Sequence, residues 1–98
     1  MVKEELIKLG KNMVKEYYNR YVNAKDPISV EDIEEVGYHD HKDMLWLMLR
    51  PAKRGIHKYE ILYHKKNKQI ETRIHVDKEK EAFRKKMMEL CGLQYNGD

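Results

Sequence analysis

The sequence predicts an α+β fold with a long N-terminal helix, a short acidic helix, a three-stranded antiparallel meander and a C-terminal helix. Toward both ends of the chain, apolar residues recur every three or four positions, as on one face of a helix. In residues 57–64 and 69–76 apolar residues alternate with polar ones, as in half-buried strands. Because the chain has 98 residues, we expect residues 1–98 to form a single domain.

The first predicted helix covers residues 2–24. Its apolar stripe is wide enough to pack against two neighbouring elements. The stripe contains Leu6, Leu9, Met13, Tyr17 and Tyr21. Asp26-Pro27 ends this helix, because a residue that precedes proline is disfavoured in the helical conformation.

A short acidic helix is predicted over residues 30–36. Ser29 and Asp32 have the spacing of a capping box at its start, and Gly37 is a suitable residue for its end. Its polar face would carry the carboxylates of Glu31, Asp32, Glu34 and Glu35. Residues 38–43 are predicted to be a polar connector.

The apolar run MLWLMLR, residues 44–50, is the ambiguous segment of the chain. Its composition suits a helix, since leucine and methionine are good helix formers. We favour a strand, because the two strands that follow would be marginally stable as an isolated hairpin. As the first strand of a three-stranded meander, residues 44–50 would lie at an edge of the sheet.

The last two predicted elements have clear local signals. Residues 65–68 form the hairpin turn, with Asn67 as the residue suited to the left-handed conformation. Asp77 caps a final helix over residues 78–92, and Gly92 ends it. The apolar edge of this helix consists of Ala82, Phe83, Met87 and Leu90.

If residues 44–50 are helical, the segment from Ser29 to Val76 resembles a winged helix. SVEDIEEVGY would then be the first helix of the helix-turn-helix, HDHKDMLWLMLR the recognition helix, and the following hairpin the wing. If they form a strand, the three strands and the final helix resemble the integrase arm-binding type of domain, which places its sheet in the major groove. Both resemblances imply DNA binding.

The distribution of charge gives the strongest functional signal. The net charge is only +3, but residues 26–43 hold seven acids against one lysine, and residues 44–76 hold eight basic residues against two acids. This division indicates two surfaces with different partners, or two segments that fold against each other. The basic residues predict nucleic-acid binding. They are Arg50, Lys53, Arg54, Lys58, Lys65, Lys66, Lys68 and Arg73.

The alternative function is binding of a protein, as in inhibitors or adaptors of the phage or mobile-element type. The partner would be a host protein or a second copy of the chain, docked on an apolar strand edge or on the acidic helix. The predicted contacts are Met44, Trp46, Met48, Glu31, Glu34 and Glu35.

The sequence does not indicate an enzyme or a resident cofactor. No phosphate-binding glycine motif occurs, and Ser29 is better explained as a helix cap than as a nucleophile. His39 and His41 are residues of a type that binds metal, but we predict a solvated loop rather than a metal site, because no third ligand is specified. The single cysteine, Cys91, and the absence of long apolar runs predict a cytoplasmic protein without a membrane partner.

Overall fold

The computed structural model describes residues 1–53 and 55–92, and in them two helices flank a four-stranded sheet. The first helix, α1, covers Lys3–Tyr17 and continues as a π-helical turn over Tyr18–Val22. A 3-10 turn at Val30–Asp32 leads into the sheet. The strands are β1 Ile33–Asp40, β2 Met44–Pro51, β3 His57–His64 and β4 Gln69–Val76, and they are followed by α2 at Lys78–Leu90.

The sheet is an antiparallel meander in the order β1-β2-β3-β4, which confirms the α+β class and adds one strand to the predicted three. Leu47 of β2 lies between Tyr38 of β1 and Ile61 of β3. Side chains that face each other across antiparallel strands point to the same side of the sheet. These three residues therefore belong to the face that α1 covers.

The core lies between α1 and this inner face of the sheet. Alternate residues of β2 are fully buried in it, while their neighbours on the outer face are half-buried. The buried cluster includes Leu6, Val14 and Tyr18 from the helical segment, and Leu45, Leu47, Leu49, Tyr59 and Ile61 from the sheet.

The prediction of a short acidic helix over residues 30–36 is wrong. Only residues 30–32 are helical, and the rest of the segment forms β1, which pairs along β2. The predicted connector over residues 38–43 is correspondingly reduced to a turn. The reason is tertiary: an extended β1 pairs its backbone with β2 and buries Ile33 in the core, and these gains override local helix propensity.

Gly37, predicted to end that helix, instead allows a close contact within the sheet. A Cβ atom at position 37 would lie 2.9 Å from Cζ3 of Trp46. The register between β1 and β2 also shifts between Glu35 and Gly37, which is a β-bulge. Glycine at this position thus serves the packing of the outer face.

Residues 44–50 form a strand as predicted, so the winged-helix alternative is wrong. They are not an edge strand, however, because β1 and β3 pair on either side of β2. The resulting burial explains the continuous apolar run: odd-numbered residues enter the core, and Trp46 and its neighbours pack on the outer face.

The caps of α2 agree with the prediction, and the helix ends at Leu90 rather than at residue 92. The Asp77 side chain accepts the backbone N–H groups of Glu79 and Lys80, and Gly92 follows the helix with a φ of +73°. None of the residues of α2 is buried, and Phe83 and Leu90 are 67% and 74% exposed. In the hairpin turn, Lys68 rather than Asn67 has the positive φ, of 59°.

At Gly10, α1 packs closely against the sheet, and this contact gives the first testable prediction. A Cβ atom there would lie 3.0 Å from Cδ1 of Leu49 and 3.2 Å from Cδ2 of Leu47. Gly10→Leu should therefore overpack the core and lower the free energy of unfolding by about 2 kcal/mol or more, despite the better helix propensity of leucine. Urea unfolding followed by circular dichroism measures this change.

The matched control is Lys8→Leu, which places the same side chain at an exposed position of α1. We expect it to change the free energy of unfolding by less than about 0.5 kcal/mol. Equal stability of the two variants would contradict the close contact at Gly10.

Candidate nucleic-acid interface

The junction between the sheet and α2 is built around the buried carboxylate of Asp77. Its residue is 1% exposed, and its side chain accepts from the backbone N–H groups of Glu79 and Lys80 at 3.2 and 3.4 Å. Its own backbone N–H donates to the carbonyl of Ile56 in the loop between β2 and β3. One residue therefore caps α2 and fixes the start of that helix to the loop.

Two cations approach Asp77 from the outer face of the sheet. Nη1 of Arg50 donates to Oδ2 at 3.0 Å, and Nζ of Lys58 lies 4.0 Å from Oδ1. Burial by itself would raise the pKa of Asp77, but the backbone hydrogen bond at Lys80 and the interactions with Arg50 and Lys58 together lower it below the ordinary value of 3.8. The carboxylate is accordingly charged at neutral pH.

Arg50 links this junction to the first strand. Its Nε donates to Glu34 of β1, the residue directly opposite it in the β1–β2 register. The hydrogen bond with Glu34 is the main cause that raises the pKa of Arg50. Because Arg50 binds two carboxylates, its role is chiefly to connect β1, β2 and α2.

Lys80 makes the second connection between α2 and the sheet. Its ammonium group donates to the carbonyl of Pro51 at 2.9 Å. Burial lowers the pKa of Lys80, and the neighbouring Arg50 charge acts in the same direction. An anion bound next to Lys80 would favour its charged form.

A groove of about 700 Å³ lies between α2 and the loop after β2. Basic side chains from both elements line it, together with apolar side chains of α2. Glu79 is the one acid among its described lining residues. The basic residues are Arg50, Lys53, Lys80 and Arg84, and the apolar ones include Phe83, Met87 and Met88. The groove can therefore offer both positive charge and an exposed aromatic ring to a ligand.

The structure divides the predicted basic residues between two ends of the sheet. Lys53 lies in the loop after β2, whereas Lys66 and Lys68 lie in the turn after β3. The eight residues of β3 separate these ends by about 24 Å, at about 3.4 Å per residue. The seven described residues of the predicted eight do not form one continuous patch.

Several of these basic residues are already paired with acids. Lys65 lies 2.6 Å from Asp40, and its ammonium group also donates to the carbonyl of His41. Arg73 donates to Glu71 at 2.6 Å. With Arg50 and Lys58 held by Asp77, four of the predicted contacts are engaged within the protein. Arg54 lies outside the described residues.

Three residues of the groove were missed by the sequence prediction. Lys80, Phe83 and Arg84 belong to α2, whose apolar edge was not assigned to a binding surface and whose charges were not counted with the basic segment. A usable signal was present, because α2 is rich in lysine and arginine. The basic residues of α2 line a groove only because this helix projects from the sheet.

The predicted protein-binding residues do not form the expected surface. Met44, Trp46 and Met48 lie half-buried on the outer face of a central strand, so they are not part of an exposed strand edge. The indole N–H of Trp46 donates to Glu60 of β3 at 2.6 Å. This hydrogen bond is the main cause that lowers the pKa of Glu60.

The predicted acidic surface is dispersed as well. Glu31 lies in the 3-10 turn, while Glu34 binds Arg50 and Glu35 lies 3.6 Å from Lys11 of α1. Because Glu34 and Glu35 are adjacent in a strand, they point to opposite faces. They cannot form a single acidic helix face.

The histidine pair lies near the β1–β2 turn. The ring of His39 is 5.5 Å from that of Trp46 and 5.6 Å from that of His41. Within residues 1–53 and 55–92, no three His, Cys, Asp or Glu side chains are grouped so that they could hold a metal ion. No helix in this part of the chain has both the length and the apolar character required to cross a bilayer.

Comparisons of this chain with protein families, curated proteins and solved structures find no match.

The Asp77 junction gives a prediction about pH dependence. Asp77→Asn keeps a good helix cap but removes the charge that holds Arg50, so it should lower the free energy of unfolding at pH 7 by about 2 kcal/mol. Because the pKa of Asp77 is lowered by folding, its contribution is complete above the ordinary value of 3.8. It should be lost as the pH falls through the lower pKa of the folded state.

Urea unfolding of both proteins at pH 7 and in steps below pH 4 measures this effect. Glu16→Gln is the matched control, since it makes the same chemical change at an exposed helix position. A difference between the wild type and Asp77→Asn that stays constant into strong acid would exclude the charged junction.

Proposed function

We propose that this protein is a cytoplasmic, non-enzymatic protein that binds single-stranded nucleic acid in the groove between α2 and the β2–β3 loop. The observation that carries the proposal is the combination of Lys53, the basic residues of α2 and an exposed phenylalanine along this groove, with Glu79 as the one acid among the described lining residues. Lysine and arginine bind phosphates, and an aromatic ring stacks on an unpaired base. The proposed site thus combines the loop after β2, which was predicted to contact phosphates, with basic residues of α2.

The exposed aromatic ring favours this end of the sheet over the turn after β3. Lys53 and the basic residues of α2 lie beside Phe83, which is 67% exposed. Each end holds a cation that is already paired, Arg50 with Asp77 and Lys65 with Asp40, so the ring distinguishes the two ends. An interface that uses both phosphates and bases needs charge and an aromatic surface together, and the groove provides both.

The preference for a single strand follows from Phe83. In a duplex the faces of the bases are stacked on one another, so a side chain at the protein surface has no free base to stack on. The side chain of Phe83 is exposed at the groove, where an unpaired base could stack on it.

The experiment compares two double variants that remove the same charge. Lys53→Ala/Arg84→Ala removes two cations from the groove, and Lys66→Ala/Lys68→Ala removes two from the distant turn. Binding of fluorescein-labelled oligo(dT), oligo(U) and a duplex of equal length is measured by anisotropy over a series of salt concentrations. We expect the groove variant to lose about 1.4 from the slope of log affinity against log salt, at about 0.7 per phosphate contact, and the turn variant to keep its slope.

Phe83→Leu tests the aromatic contribution separately from charge. We expect it to weaken single-strand binding by about tenfold, which corresponds to one lost stacking contact. If no probe binds at low salt, the proposal fails. It also fails if the two double variants lose equal affinity, because net charge rather than the groove would then explain binding.

A further inference from the structure

Within residues 1–53 and 55–92, no strand pairs with the outer edge of β4. β4 is the last strand of the sheet, and its pairing with β3 is regular from His57–Val76 to His64–Gln69. Natural edge strands are usually protected by bulges, prolines or charged residues that point inward. The opposite edge, β1, has a bulge, whereas β4 has neither a bulge nor a proline.

Part of the inner face of β4 is also left uncovered by the residues that the structure describes. An apolar groove of about 490 Å³ lies between the second half of α1 and β4, with Tyr17, Tyr59 and Ile74 among its lining residues. Ile74 is 40% exposed and Val76 is 44% exposed. The inward residues of β4 are uncharged; they are Ile70, Thr72, Ile74 and Val76. Pairing of β4 with another strand would bury apolar surface as well as backbone groups.

The sequence of β4 is complementary to itself in one antiparallel register. When two identical strand edges pair about a two-fold axis, one residue faces its own copy and its neighbours face each other in reverse order. With Thr72 on the axis, Ile70 faces the second copy of Ile74 on the inner face. On the outer face, Glu71 faces the second copy of Arg73, so opposite charges meet twice.

Neighbouring registers lack this complementarity. An axis at residue 71 would place two glutamates opposite each other, and an axis at residue 73 would place two arginines opposite each other. Like charges directly opposite each other destabilise a strand pair. Within one chain Arg73 donates to Glu71 at 2.6 Å, and the two side chains remain 56% and 41% exposed, so a second chain can still reach both.

We propose that a second copy of this chain binds along β4, with Thr72 at the two-fold axis, to form a homodimer with a continuous eight-stranded sheet. The two α1 helices then lie on the same side of this sheet, and the second copy of β4 lies along the open side of each apolar groove. This interface does not overlap the groove at α2, so it is independent of nucleic-acid binding.

Charge-reversal variants test the register directly by sedimentation velocity and native mass spectrometry. Arg73→Glu and Glu71→Arg each place like charges opposite each other twice, and each should raise the dissociation constant of the dimer by about tenfold or more. An equimolar mixture of the two variants should form a heterodimer, because every opposed pair is then of opposite sign. The double variant Glu71→Arg/Arg73→Glu should dimerise as the wild type does.

Lys42→Glu serves as the matched control, since it makes the same change in charge in the β1–β2 turn and should leave the dimer intact. Circular dichroism checks that each exposed substitution leaves the fold unchanged. A wild-type protein that stays monomeric at every concentration overturns the proposal. A dimer that persists in both single variants, or single variants that fail to recombine as a heterodimer, also overturns it.

Discussion

The arrangement of this molecule depends on the hydrogen bonds and ion pairs of the buried Asp77 carboxylate. α2 buries none of its own residues, so hydrophobic packing does not fix its direction. Its orientation is instead set by polar contacts at its first turn, namely the cap at Asp77, the contact of Asp77 with Arg50 and the hydrogen bond from Lys80 to Pro51. A buried charge is tolerated when it is paired and hydrogen-bonded, and Asp77 satisfies both conditions. The groove exists because these contacts hold the helix beside the loop.

Ion pairs also explain how the acidic and the basic segments of the sequence are arranged in the fold. Two acids of β1 form ion pairs within the protein: Glu34 binds Arg50, and Asp40 binds Lys65. The acidic and basic segments thus fold against each other along the β1–β2–β3 part of the sheet. Much of the positive charge that the sequence displays is therefore compensated, and the basic residues of α2 gain importance for any anionic ligand.

Much of the fold follows from local signals, and the exceptions have a common cause. The alternation of β3 and β4, the cap at Asp77 and the apolar stripe of α1 each specify an element within a few residues. β1 does not, because Val30, Ile33 and Val36 have helical spacing and the surrounding acids fit a solvated helix face. What makes the segment a strand is the second edge of β2, which is distant from the local pattern. In this segment, strand pairing outweighs the local helix propensity.

The candidate site was less predictable than the fold for a related reason. Arg50 and Lys53 were identified from the sequence, but the pairing of Arg50 with Asp77 connects residues 27 positions apart. The apolar edge of α2 has the spacing of a core helix. That spacing does not indicate whether another part of the protein covers the apolar edge. The sheet already has α1 on its inner face, and Trp46 packs on the outer face against Gly37. α1 covers the inner face except along part of β4, and the outer face carries its own polar contacts. α2 therefore extends from the end of the sheet, and its apolar residues remain exposed within the described part of the chain.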